Sequence, residues 1–341
     1  MDDLQQQTSP QKPKLTKLSY TGQFQDMAKL GAINAALTAV TLGGYFARAN
    51  TDVCKALANH TRLGKPIPVT YTGTPMEFAR QVFPAAIGVI ISALILQWSV
   101  SSMNYLIFFL MLIACYGLSY YGFFAAFKTR VQALKIGSAA VTLRLSPIPY
   151  MMLFMKRALF NLISFGYKIP NSDLEKWALL VSNIQVGSTK LSFTGSTKPL
   201  FWTHLVSLGL PLILGITLVL MLGPVLSGDP AIDQQRIAAS QQILTFLLYM
   251  TLIAGIFGRS WYQAALRTEC LRGLTCGKLR FRSTATGHDL FKLRIVNTMI
   301  LLVTLGLGWG ITKHRTMEFF ARTLVIQGDV EAVTNPAGET L

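Results

Sequence analysis

Residues 81–127 read QVFPAAIGVIISALILQWSVSSMNYLIFFLMLIACYGLSYYGFFAAF, an unbroken run of 47 residues between Arg80 and Lys128 without one Asp, Glu, Lys or Arg. Two helices of about 20 residues, the length that crosses a hydrocarbon core, fit in it. The polar turn at 99–104 divides the run and places spans at 82–98 and 105–127. A second pair follows at 201–226 and 237–258, joined by the polar loop 227–236. Composition agrees, since only 13% of the 341 residues are charged, about half the share in a soluble domain. Mean hydropathy is +0.43. Lys and Arg number 31 against 15 Asp and Glu, a net charge of +16. In a chain this apolar, that excess suits an anionic inner leaflet rather than nucleic acid.

The cations also orient the chain. The loops 99–104 and 227–236 share a single basic residue, Arg236. By the positive-inside rule they face outward, and everything else, both tails included, faces the cytoplasm. Three further apolar stretches are weaker. Residues 30–47 and 295–312 are uncharged but short and basic on both flanks, so a straight crossing would leave one flank on the wrong side. Residues 147–167 carry Lys156 and Arg157 near the middle, at about 2.5–3.5 kcal/mol each for insertion. Residues 147–167 read as interfacial or re-entrant, and 30–47 and 295–312 as re-entrant, interfacial or bent, with a simple crossing as the alternative. Residues 1–17 open with Asp2 and Asp3 and have no signal-peptide core, so they read as a disordered cytoplasmic tail. Residues 18–332 form one membrane domain, and 333–341 a flexible tail.

Internal similarity follows from two patterns. Asn34 precedes Thr41-Leu42-Gly43 by the spacing with which Asn297 precedes Thr304-Leu305-Gly306. A glycine followed by alternating β-type residues recurs at 64–73, 187–195 and 277–284. Such alternation between glycines reads as short strands. The expected fold is an all-α polytopic membrane protein with degenerate internal repeats, in three to four copies, and short β segments capping the cytoplasmic face.

The run Tyr20-Thr21-Gly22, Asn34, Thr41-Leu42-Gly43, Arg48, Gly64 and Tyr71-Thr72-Gly73 resembles the YjgN-like family of bacterial inner-membrane proteins. So does the C-terminal run Asn297, Thr304-Leu305-Gly306, Trp309, Arg315 and Gly328-Asp329. The family pattern carries a Trp and several arginines shortly after the first Thr-Leu-Gly, where this chain has Phe46 and Arg48. The resemblance implies an inner-membrane location and no established activity.

Catalytic signatures are missing. The sequence has no His-Glu-x-x-His, P-loop, Gly-x-Ser-x-Gly or Cys-x-x-Cys. We therefore expect no enzyme activity, no catalytic residue, no metal and no cofactor. No acid lies inside the four spans, which disfavours a proton-coupled carrier. Asn34 and Asn297, with Thr41 and Thr304 two helical turns further on, are the polar binding candidates. They either line a cleft between repeats, with the following glycines breaking the helices, or hydrogen-bond between packed helices. Arg48, Arg130, Arg259, Lys313 and Arg315 sit at membrane edges, as interface anchors or as captors of an anionic lipid headgroup. The expected function is the handling or transport of a lipid or other amphiphile. The alternative is a non-catalytic scaffold or accessory subunit of an envelope complex. The expected partners are anionic inner-leaflet lipids and either a second copy or an envelope-complex protein, with no nucleic acid.

Overall fold

The structure, a computed structural model, describes residues 15–64, 67–222 and 230–330, with the backbone alone at 210, 222 and 230–239. One order of elements, strand–helix–helix–strand, runs five times. The first unit is β1 (Leu15–Tyr20), α1 (Phe24–Val40), α2 (Phe46–Asn59) and β2 (Thr61–Leu63). The second is β3 (Ile67–Tyr71), α3 (Pro75–Ser101), α4 (Tyr105–Gln132) and β4 (Leu134–Ile136). The third is β5 (Ala139–Leu143), α5 (Pro147–Ile163), α6 (Ile169–Ser182) and β6 (Ile184–Val186). The fourth is β7 (Thr189–Phe193), α7 (Lys198–Leu222), α8 (Pro230–Arg272) and β8 (Leu274–Cys276). The fifth is β9 (Leu279–Ser283), α9 (Gly287–Val303), α10 (Trp309–Thr323) and β10 (Leu324–Gln327).

The ten strands form one closed antiparallel barrel in the order β1-β10-β9-β8-β7-β6-β5-β4-β3-β2. Closure comes from β1, which pairs with β10 through Leu15↔Gln327 and with β2 through Tyr20↔Thr61. This overturns the expectation of an all-α bundle with short β segments as a cap. Most of the strands have three to five residues, and an isolated hairpin of that size is marginal in water. Closing the ring removes every unpaired edge. It also lets Ile67, Ile136, Val186, Leu191, Cys276, Leu279 and Ile326, from seven different strands, meet in a single apolar cluster. Residues from so many strands can meet only inside the barrel. The alternating positions, among them Arg62, Lys135, Lys190, Arg280 and Arg282, stay exposed on its outer face. Gly137, Gly187 and Gly277, at φ +61°, +58° and +57°, open the two-residue hairpin turns, a position that calls for positive φ.

Each unit sends a helical hairpin away from the barrel. Two hairpins are long. Pro75–Ser101, Tyr105–Gln132, Lys198–Met221 and Ser240–Arg272 are long and apolar enough to cross a membrane. Thr74 and Glu77 start α3 with reciprocal side-chain and backbone bonds, and Thr286 and Asp289 do the same for α9. Three hairpins are short, with first helices of 17 residues in α1, α5 and α9. They occupy the three weaker apolar stretches. Of the expected tails, residues 1–14 and 333–341 lie outside the described residues, whereas 15–17 belong to β1. In the expected loop 227–236, residues 227–229 lie outside the described residues and the rest begins α8.

The short hairpins turn in one way. Their tips read Thr41-Leu42-Gly43, Ser164-Phe165-Gly166 and Thr304-Leu305-Gly306. Leu42, Phe165 and Leu305 have φ of 48°, 48° and 50°, and the glycines after them 91°, 82° and 88°. The glycine amides donate to Thr38, Asn161 and Leu301 carbonyls at 2.7, 2.7 and 2.8 Å, which satisfies carbonyls a helix end leaves open. The Thr41, Ser164 and Thr304 hydroxyls accept from the amides of Tyr45, Lys168 and Gly308 at 2.9, 3.3 and 2.8 Å.

Candidate functional site

The tips lean on the next hairpin around the ring. Phe46 packs on Phe78 of α3. The Gly166 carbonyl lies 2.9 Å from His204 Nε2 of α7, and Tyr167 packs on Phe201. Gly310 lies against the backbone of Met27 and Gly31 of α1. The last contact closes the helical ring as β1–β10 closes the barrel. The ring brings together side chains that are distant in sequence.

Two groups of cations result. In the first, Arg130 of α4 donates to Asn50 Oδ1 of α2 at 2.6 Å and stacks over Phe78 at 5.4 Å. Cys54 of α2 and Lys313 of α10 lie within electrostatic range of it. Burial, and behind it the Arg130 charge, holds the Lys313 ammonium below its ordinary value. Burial pushes the Cys54 thiol up, while Arg130 and Lys313 pull it down. In the second group, Arg294 of α9 lies in range of both Arg259 and Arg267 of α8. Arg294 donates to Ser260 Oγ at 3.3 Å, and Arg267 stacks over Phe320 of α10 at 4.8 Å. Burial and the Arg259 charge lower Arg294 from its ordinary value.

The carboxylates are committed elsewhere. Asp173 of α6 pairs with Lys176 at 3.6 Å and accepts from Tyr262 Oη at 3.1 Å. Glu175 pairs with Arg157, Asp52 with Arg48 and Glu318 with Arg322. Among the described residues no carboxylate reaches Arg130, Arg259, Arg267, Arg294, Lys313 or Arg315. Arg130 Nε, Arg267 Nη1 and Arg315 Nε are buried without an acceptor. Stacking on an aromatic ring returns about 0.5–2 kcal/mol, whereas desolvating an ion costs several. The half-buried ones, Arg130, Arg267, Arg294 and Arg315, are therefore under-compensated, and an anion would satisfy them.

A cleft of about 620 Å³ lies at the foot of α3 and α4, beside Pro147. Glu77 in its wall is spent on the α3 cap, so Arg80 and Lys128 set its charge.

The sequence candidates fall in three places. Arg130, Arg259 and Lys313 belong to the cation groups. Arg48 forms an exposed pair with Asp52 at 4.0 Å. Asn34 is 2% exposed and donates to the Ala49 carbonyl at 3.4 Å, and Asn297 donates to Thr316 Oγ1 at 3.3 Å, leaving its own Oδ1 buried and unpaired. Each amide thus ties the two helices of its own hairpin, and Thr41 and Thr304 build the tips. Arg267, Arg294 and Asn50 were not singled out from the sequence. Arg267 lies eight residues after Arg259, two helical turns along the same face, which is the signal that was available. Among the described residues, no group of three or more His, Cys, Asp and Glu could hold a metal ion.

The family model described as a bacterial protein of unknown function, DUF898, matches residues 15–339. The chain belongs to this family. The match runs from β1 past β10, so it takes in the whole ring, and the YjgN-like resemblance is consistent with it. No curated protein and no solved structure matches the chain.

Proposed function

We propose that this DUF898 chain is an integral protein of the bacterial inner membrane that binds and handles an anionic amphiphile, not an enzyme. Its anionic head sits at Arg259, Arg267 and Arg294, with Arg130 and Lys313 as a second cationic station. Both tails and the barrel lie on the cytoplasmic side, where anionic lipid attracts basic segments. The five units act as degenerate repeats around the site. One observation carries the reading: the half-buried guanidinium groups of Arg267 and Arg294 lie beside the exposed Arg259 with no carboxylate in reach among the described residues. Guanidinium matches phosphate bidentately, in charge-assisted bonds.

The test uses the full chain purified in mild detergent. Retained phosphatidylglycerol is measured by lipid extraction for the parent, Arg267→Gln and Arg294→Gln. We expect retention to fall about tenfold in each variant, the loss of one charge-assisted contact. The melting temperature should hold or rise, because an unpaired buried charge has gone. Parent-level retention in both variants overturns the reading. A scaffold role rests on a different observation, the basic outer face of the barrel, and it requires a stoichiometric protein partner in a mild-detergent pull-down.

A further inference from the structure

We propose that the three short hairpins dip into the leaflet on the barrel side only, so that two hairpins cross the bilayer and three stop inside it, with Leu42, Phe165 and Leu305 in contact with acyl chains. The inference stands apart from the anion site: it needs no ligand there, and Arg294 and Lys313 enter only as the charges that flank one tip.

Length comes first. The helices α3 and α4 have 27 and 28 residues, about 40 Å at 1.5 Å per residue. The helices α1, α5 and α9 have 17 each, about 25 Å. The tips end beside the first two turns of the crossing helices, Phe46 against Phe78 of α3 and Gly166 against His204 of α7, so they stop near the barrel end of each span. Charge sets the same limit. Lys29 and Arg48 flank the first tip, Arg157 and Lys168 the second, and Arg294 and Lys313 the third. Only the segments between them are free to enter hydrocarbon.

The tips are apolar where they are bare. Leu42, Phe165 and Leu305 are 96%, 97% and 92% exposed, and Val40, Leu162, Ile163, Leu302 and Val303 beside them are exposed as well. A non-glycine residue at positive φ costs about 1–2 kcal/mol. Each tip takes that conformation to present a large apolar side chain outward. Irregular backbone in lipid must satisfy its own polar groups, and here the turns do so through the glycine amides and the Thr or Ser hydroxyls described above. The apolar surface is also continuous with the crossing hairpins, through Phe46 on Phe78 and Tyr167 on Phe201. That continuity favours the bilayer as the occupant over a second copy of the chain.

The test places single cysteines at Leu42, Phe165 and Leu305 in a chain whose Cys54, Cys115, Cys270 and Cys276 are serine or alanine. Lys190→Cys on the outer barrel is the aqueous reference, and Ile113→Cys on α4 the membrane reference. The three tip side chains pack against almost nothing, so the substitutions spare the fold. In vesicles of phosphatidylethanolamine and phosphatidylglycerol, a membrane-impermeant maleimide should label the tips about tenfold more slowly than Lys190→Cys, from either side. A fluorophore at each tip should be quenched by lipids spin-labelled on the acyl chain, as at Ile113→Cys. Labelling as fast as Lys190→Cys overturns the proposal, as does labelling from the face opposite the barrel. So does protection from both water and lipid quenchers together with disulfide-linked dimers, which would mean a second copy covers the tips.

Discussion

The α3/α4 and α9/α10 hairpins leave the same barrel from equivalent strands, begin with the same reciprocal threonine–carboxylate cap, and then part. The long hairpin holds its helices together over a charge-free length and meets its neighbour through side chains, as where Tyr120 of α4 packs on Phe154 of α5. In its counterpart α7/α8, Gly209, Gly215 and Gly255 face open space. The short hairpin keeps its charges, turns early and drives Gly310 into the backbone of α1. The same frame thus accommodates two uses of a helical pair. One presents a long apolar length, and the other closes a ring. Close approach at glycine joins the two helices of one hairpin in the first, where Gly258 of α8 lies against the Ser207 backbone of α7, and two separate hairpins in the second.

That contrast yields four predictions, in falling order of effect. Gly310→Val should be the most damaging, because its side chain would meet the Met27 carbonyl and the Gly31 backbone. We expect a loss of about 3 kcal/mol or more, read as a lowered melting temperature in detergent. Gly215→Ala should instead stabilise by about 0.5–1 kcal/mol, as alanine for glycine does in a helix with room for it. Equal effects at the two sites would erase the distinction. Thr286→Ala removes the α9 cap and should cost about 1 kcal/mol, with Thr74→Ala on α3 as its long-hairpin partner. Next come the turns. Leu305 in a short tip and Met103 in a long one have φ of 50° and 53°. Glycine at either should gain about 0.5–1 kcal/mol in detergent, the left-handed strain less the added freedom of the unfolded chain. In vesicles only Leu305→Gly should lose part of that gain, since it alone gives up an acyl-chain contact.

The smallest effect concerns pH. His314 of α10 lies 3.1 Å from Tyr20 Oη, at the seam of the first and last units. Burial holds its imidazole below the ordinary value, with Glu318 pulling it up and Arg315 pushing it down. The native state therefore takes up its proton later than the unfolded chain does as pH falls. Stability is full above the unfolded value near 6.5 and declines as pH drops from there toward the lower native value. Thermal melts of parent and His314→Gln between pH 7 and 5 should converge as the parent loses this margin. At α9 the direction is the same but the cause differs, because hydrogen bonds from Thr286 hold the Asp289 carboxyl below its ordinary value. Its contribution is present above the unfolded carboxylate value and fades as pH falls through the native one.

Much of the helical layer was legible in the sequence because lipid leaves a strong mark, namely long runs without charge. The four apolar helices coincide with the runs around 81–127 and 201–258. The barrel left a faint mark. Leu134-Lys135-Ile136 and Ala139–Leu143 form a hairpin but show too few alternating residues to stand out, although Gly137-Ser138 between them matches the turns at 187 and 277. Closure was illegible for a deeper reason. Leu15 and Gln327 pair across about 300 residues, and nothing local at either end encodes the partner. The third tip, Ser164-Phe165-Gly166, was hidden because Ser and Phe replace Thr and Leu, yet its backbone is the same. At the candidate site, Arg130, Arg259 and Lys313 stood out as edge cations. That Arg267 and Arg294 join Arg259 depends on how α8 and α9 cross, which spacing within one helix cannot reveal.

The pairing of β1 with β10 also sets a condition on assembly. A chain emerging from the ribosome places β1 early and must wait about 300 residues for the strand that covers its free side. Through that interval four units are finished, while the sheet remains an open ribbon with a bare edge at each end. A product cut short before β10 would keep both edges, an invitation to pair with another copy. Only the complete chain, with β10 in place, hides them.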